Sequence, residues 1–98
     1  MYINVISAYR NVVAIADKEL IGKTFEEDLK MLDIKESFYK GDIISENEMI
    51  ELILFHKKED ATFNIVGERS TQLALRLGII SEDSIGNIAG IPYAMTFL

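Results

Sequence analysis

From Asn64 to Gly78 the chain carries an apolar pattern with a helical period, interrupted by one polar cluster, Gly67-Glu68-Arg69. Val66, Ser70, Leu73, Ala74 and Leu77 fall at i, i+4, i+7, i+8 and i+11, and so share one helical face. Gln72 and Arg76 lie four apart on the opposite, solvated face. Gly78 follows the last apolar residue, where a left-handed cap is needed. Two starts compete for this helix. Asp60 can N-cap a helix from Ala61 through Leu77, with Gly67 as an internal glycine costing about 1 kcal/mol relative to Ala. Alternatively Thr62–Val66 is a short buried strand and Gly67 turns the chain into the helix. The long helix is favoured, because Phe63 and Val66 continue the apolar stripe. The second start would leave backbone amides free to hold an anion, but Glu68 places a carboxylate where that anion would sit.

The chain's 98 residues suit one domain with a modest core. The absence of cysteine excludes disulfides, thiolate catalysis and Cys-based metal sites. No apolar run approaches the length of a membrane span, and the N-terminus lacks the pattern of a secretory leader. A cytoplasmic location is expected. The net charge of −6 sits in the middle third, where residues 26–60 carry five basic and eleven acidic side chains. That balance disfavours direct nucleic-acid binding, which needs clustered Lys and Arg.

Tyr2–Ala8 and Asn11–Ala16 are rich in β-branched residues and predict an N-terminal hairpin. Gly22-Lys23-Thr24 resembles the end of a phosphate-binding loop, but Asp17 stands where the motif needs its first glycine, so the match fails. Leu20 and Ile21 are instead expected to plug the core while Gly22 turns the chain. Glu26-Glu27-Asp28 reads as a solvated face, since consecutive carboxylates converge poorly on one ion. A short strand or irregular segment is expected around Met31–Ile34, and a short strand at Asp42-Ile43-Ile44 after a turn at Gly41. Ser45 and Glu48 form a capping box ahead of a helix over Glu46–Lys57, with Met49, Ile50, Ile53 and Leu54 as its apolar stripe. His56, near its end beside Lys57 and Lys58, reads as a surface or capping residue, and no Ser–His–Asp arrangement presents itself. Ile85–Ala89 and Tyr93–Leu98 predict two last strands about a Gly90-Ile91-Pro92 turn, with Tyr93, Met95 and Phe97 alternating along the second.

These motifs bring out a likeness. Leu20-Ile21-Gly22-Lys23, Phe38-Tyr39 with Gly41, Asn64-Ile65-Val66-Gly67-Glu68-Arg69 and Gly90-Ile91-Pro92-Tyr93-Ala94 occur in the order of the archaeal domain-of-unknown-function family 424, which the chain resembles over nearly its whole length. The Val-Gly-Glu-Arg and Gly-Ile-Pro segments are the more specific. Many members carry His where this chain has Tyr93, so no imidazole role passes to that position. The resemblance implies an archaeal, cytoplasmic α/β-type protein with a loose link to translation. It also singles out Asn64, Gly67, Glu68, Arg69, Gly90, Pro92 and Tyr93 as the candidate binding surface.

The expected fold is α+β: one small domain whose mixed sheet, an N-terminal hairpin plus C-terminal strands, packs against two helices. The expected function is a binding module that docks on a protein or ribonucleoprotein partner, without cofactor or metal. The alternative is a small enzyme using Glu68, Arg69 and Asn64 in a pocket near the Gly90–Tyr93 turn, with Glu68 as the acid/base and Arg69 holding an anionic substrate. Homodimerisation through the apolar C-terminal strand is a further expectation.

Overall fold

The computed structural model describes residues 1–96. Six strands form one mixed sheet: β1 (Tyr2–Ile6), β2 (Val12–Ala16), β5 (Asp42–Ile43), β6 (Thr62–Val66), β7 (Gly86–Ile88) and β8 (Ile91–Met95). Their order is β5-β1-β2-β6-β8-β7. Only β2 and β6 run parallel; every other neighbouring pair is antiparallel. A separate hairpin, β3 (Thr24–Glu27) with β4 (Lys30–Asp33), lies beside β7. The helices are α1 (Glu36–Tyr39), α2 (Glu46–Lys58) and α3 (Glu68–Arg76).

Alternation along the strands gives the sheet two buried faces. Ile3, Val13, Ile15, Phe63, Ile65 and Ala94 join Met49 and Ile53 of α2 and Leu73 and Ala74 of α3 in the larger cluster. Ala16 and Val66 point to the other face, where Leu20 and Ile34 cover them and Ile21 and Tyr39 pack alongside. Leu20 and Ile21 therefore do plug the core, as their place before Gly22 predicts. The link from β2 to β6 thus clothes both sides: residues 18–39 lie under the sheet and α2 lies over it.

α2 starts where its sequence signature places it, but among the described residues Glu48 reaches the Ser45 hydroxyl rather than the Ser45 amide, so only half of the expected capping box forms. Ser45 Oγ accepts from the Glu48 amide at 3.2 Å and donates to the Glu48 carboxylate at 3.0 Å. The buried stripe is Met49, Ile53 and His56, however, while Leu54 is exposed. His56 is 7% exposed and its Nδ1 has no hydrogen-bond partner among the described residues, which corrects its reading as a surface residue.

The long helix from Ala61 is not formed. Thr62–Val66 is a strand, paired with β2 on one side and β8 on the other. Phe63 and Val66 do not share a stripe; they lie in the clusters on opposite faces of the sheet. The turn expected at Gly90-Ile91-Pro92 is also displaced. Ala89 and Gly90 make it, both with positive φ, and Pro92 lies inside β8. β8 is an inner strand between β6 and β7, so it is not the sheet edge that pairing of two copies through it would need. The alternation expected at Phe97 falls outside the described residues.

Burial raises the Tyr39 phenol above its ordinary 10.0. The fold favours the neutral phenol, so this stabilisation is fully present below the ordinary phenol range and is lost as pH rises through the raised value. Tyr39→Phe should therefore flatten part of the alkaline fall in the urea midpoint over roughly pH 9 to 11. Parallel wild-type and variant profiles would rule this contribution out.

Candidate functional site

β2 and β6 run parallel and end side by side, and each leads into a helical turn at its carboxyl end. Such strand ends are the usual ligand position in α/β sheets. Here Asp17 follows β2 and Gly67 follows β6. The Asp17 amide donates to the Val66 carbonyl at 3.1 Å and so extends the parallel ladder by one residue. This aims the Asp17 side chain at the start of α3. Its Oδ2 accepts from the Arg69 amide at 3.0 Å, and its Oδ1 accepts from the Ser70 amide at 2.8 Å and the Ser70 hydroxyl at 2.7 Å. Asp17 is 2% exposed and Ser70 1%. The helix dipole and the free first-turn amides favour an anion at this point, and the protein supplies its own. Gly67, with φ 108° and ψ 157°, makes the bend between strand and helix. Thr71 Oγ1 completes the turn by donating to the Gly67 carbonyl at 2.8 Å.

In the sequence Asp17 stands out only as the residue that breaks a phosphate-loop motif. A readable signal was present: a carboxylate directly after the apolar run Val12–Ala16 must find donors, and Gly67-Glu68-Arg69-Ser70 follows the other such run. It also follows that the Arg69 and Ser70 amides are not open to an external anion.

The candidate residues are partly brought together. The Gly67 amide donates to the Pro92 carbonyl at 2.8 Å, and Val66 pairs with Tyr93, so the Gly67-Glu68-Arg69 and Gly90–Tyr93 segments meet at one end of the sheet. Glu68 and Arg69 are exposed and make no ion pair among the described residues. Tyr93 is half-buried in the cluster under the sheet, its ring stacked over Gly86, where an added Cβ would lie 2.6–2.7 Å from ring atoms. Tyr93 thus packs rather than projects. Asn64 sits apart, on the sheet face away from α2 and α3, between Ala14 and Met95.

The β3–β4 hairpin reaches the same end. Glu27 Oε1 accepts from the Ala89 amide at 2.8 Å, tying the hairpin to the Ala89–Gly90 turn. This puts Glu27 to work as a strut, and the three carboxylates Glu26, Glu27 and Asp28 do not converge. Among the described residues no group of His and carboxylates is placed to hold a metal. At the hairpin, Leu29 is 103% exposed and Met31 60%. A groove of about 770 Å³ opens elsewhere, between the start of α2 and the length of α3. Its walls include Arg69, Gln72 and Arg76, its floor Met49 and Leu73; neither Glu68 nor Tyr93 borders it.

An antiparallel-dominated α+β domain, in which a buried carboxylate caps the helix after the one parallel crossover, is the class these features define. The chain belongs to the family described as "Protein of unknown function (DUF424)", which matches residues 6–98. No match is found among curated proteins. Among solved structures, the chain is similar to the "Crystal structure of an uncharacterized conserved protein from Methanopyrus kandleri", at 24% identity and a TM-score of 0.83, covering 97% of this chain and 88% of that one. That likeness concerns the fold.

Proposed function

We propose that the protein is a cytoplasmic binding module that docks on a protein or ribonucleoprotein partner through the end of the sheet where Gly67–Arg69, Gly90–Pro92 and the β3–β4 hairpin tip meet. The observation that carries this reading is the hairpin. A fully exposed Leu29 beside an exposed Met31, on an arm fixed by the Glu27–Ala89 hydrogen bond, offers apolar anchors that the core does not use. Arg69 and the Ala89–Gly90 turn, with Pro92 in the strand that follows it, supply a polar surround at the same end, as in loops that carry recognition on a rigid scaffold. The lack of cysteine accords with a reducing compartment, and among the described residues no helix is long and apolar enough to cross a membrane. With a net charge of −6, contact with a ribonucleoprotein is expected through its protein component. The family resemblance makes translation factors and ribosomal proteins the first partners to test.

The enzymatic alternative has less support. It needs Glu68, Arg69 and Asn64 around one pocket near the Gly90–Tyr93 turn, whereas Arg69 borders the α2–α3 groove without the other two.

The test is capture from native extract by the tagged protein, with and without nuclease. The double variant Leu29→Ser, Met31→Ser should lose at least about tenfold in captured partner, since removing apolar anchors costs well over 1.4 kcal/mol of binding. Its unfolding midpoint should stay close to wild type, because exposed substitutions usually change stability within about 0.5 kcal/mol. Undiminished capture by this variant and by Arg69→Ala would remove this surface from consideration.

A further inference from the structure

We propose that the α2–α3 groove is a binding site for a small aliphatic monocarboxylate. The inference is independent of the docking surface, although Arg69 borders both. The groove's volume of about 770 Å³ falls in the range of small-ligand sites, roughly 300–1,000 Å³. Its accessible apolar lining comes from the partly buried Met1, Ile44 and Leu75, which lie over the core residues Met49 and Leu73.

The polar wall selects the ligand's charge. Arg69 and Gln72 lie three apart on α3 and so stand one above the other on the same helix face. A guanidinium presents a planar fork matched to a carboxylate, and the Gln72 amide adds a further donor. The other guanidinium is already engaged: Arg76 is bridged to Glu46 at 2.9 Å across the mouth between α3 and α2. Glu82 stands on the rim. Among the described residues Arg69 is therefore left without an ion-pair partner, and Glu82, the carboxylate not engaged by Arg76, opposes a second negative charge on the ligand. Phosphate esters, nucleotides and dicarboxylates fit this balance poorly. A single carboxylate on an aliphatic body satisfies both Arg69 and the apolar lining of Met1, Ile44 and Leu75. The helix amides play no part, because Asp17 holds those of Arg69 and Ser70.

The same chemistry occurs in free aliphatic acids and in aliphatic amino acids, whose ammonium group could approach Glu82. A titration of the ¹⁵N-labelled full chain with hexanoate, leucine, hexanamide and adipate separates these cases. Saturable amide shifts confined to residues 44–49 and 69–76 are expected with hexanoate. Hexanamide and adipate should bind at least about tenfold more weakly, since the first lacks the charge and the second adds one. Leucine binding more tightly than hexanoate supports the site and assigns it to amino acids; weaker leucine binding supports it and assigns free acids. Both Arg69→Gln and Gln72→Glu alter exposed side chains and should leave the unfolding midpoint near wild type while reducing hexanoate affinity at least about tenfold. Absence of saturable shifts, equal binding of hexanamide and hexanoate, or full affinity in Arg69→Gln would overturn the proposal. Failed titrations alongside a Leu29/Met31-dependent capture would leave the docking surface standing.

Discussion

Asp17→Ala is expected to destabilise the protein by about 3–5 kcal/mol, a large part of the roughly 5–15 kcal/mol available to a domain of this size. The substitution strips the Arg69 amide, the Ser70 amide and the Ser70 hydroxyl of their shared acceptor. Ser70 is 1% exposed, so water does not readily replace the lost carboxylate. Hydrogen bonds to an ionised group contribute about 1.5–3 kcal/mol each, and an orphaned buried donor costs about 1–3 kcal/mol. Asp17→Asn refines the test. Its carbonyl oxygen can still serve Ser70, but its NH₂ would face the Arg69 amide donor, and the charge that complements the helix dipole is gone. A loss of about 1–3 kcal/mol, between wild type and Ala, is therefore expected in urea unfolding. If Asp17→Ala unfolds within 1 kcal/mol of wild type, the carboxylate is no more than a local ornament of the turn.

That Asp17 escapes inspection of the sequence has a physical cause. Its partners are fifty-two and fifty-three residues away, and nothing local distinguishes it from any other carboxylate in a turn. The features that were legible are those whose interactions close within one turn of chain. Ser45 and Glu48 lie three apart, and α2 starts where they place it. Leu73, Ala74 and the solvated Gln72 and Arg76 divide α3 as their spacing requires. Thr62–Val66 shows the opposite case. Phe63, Ile65 and Val66 fit a helical stripe and a strand about equally well, since a short apolar run carries both periods. The deciding fact is the pairing with β2, whose partner residues are fifty positions earlier. The β3 strand was hidden for another reason: in Thr24–Glu27 only Phe25 is withdrawn from solvent, so burial imposes little alternation there. The candidate site divides along the same line. Gly67 and Pro92 meet through one backbone hydrogen bond, but the direction of each side chain depends on strand faces that the sequence leaves undetermined. Tyr93 consequently packs on Gly86 and Asn64 faces away from the end where Arg69 lies.

Gly67→Ala should be comparably severe, at about 3–5 kcal/mol, for two separable reasons. The first is backbone conformation. With φ 108° and ψ 157°, Gly67 occupies a region essentially closed to residues bearing a Cβ, and forcing one there costs about 1–3 kcal/mol. The second is space. A Cβ at this position would lie 2.6 Å from both oxygens of the Asp17 carboxylate, itself fixed by three hydrogen bonds and too well held to withdraw. The two contributions can be divided by a double-mutant cycle. In the Asp17→Ala background the carboxylate is absent, and Gly67→Ala should cost only the backbone strain of about 1–3 kcal/mol. The double variant is then less unstable than the two single losses added together, by a coupling of about 0.5–3 kcal/mol. Strict additivity would mean that the helix start relaxes around the new methyl group, and that the close approach of strand end and carboxylate is not what demands glycine. A coupling of the expected sign would identify Gly67 as the residue that lets β2 and β6 share a single carboxylate at the head of α3. Its place in the Val-Gly-Glu-Arg motif would then be a requirement of the capped turn.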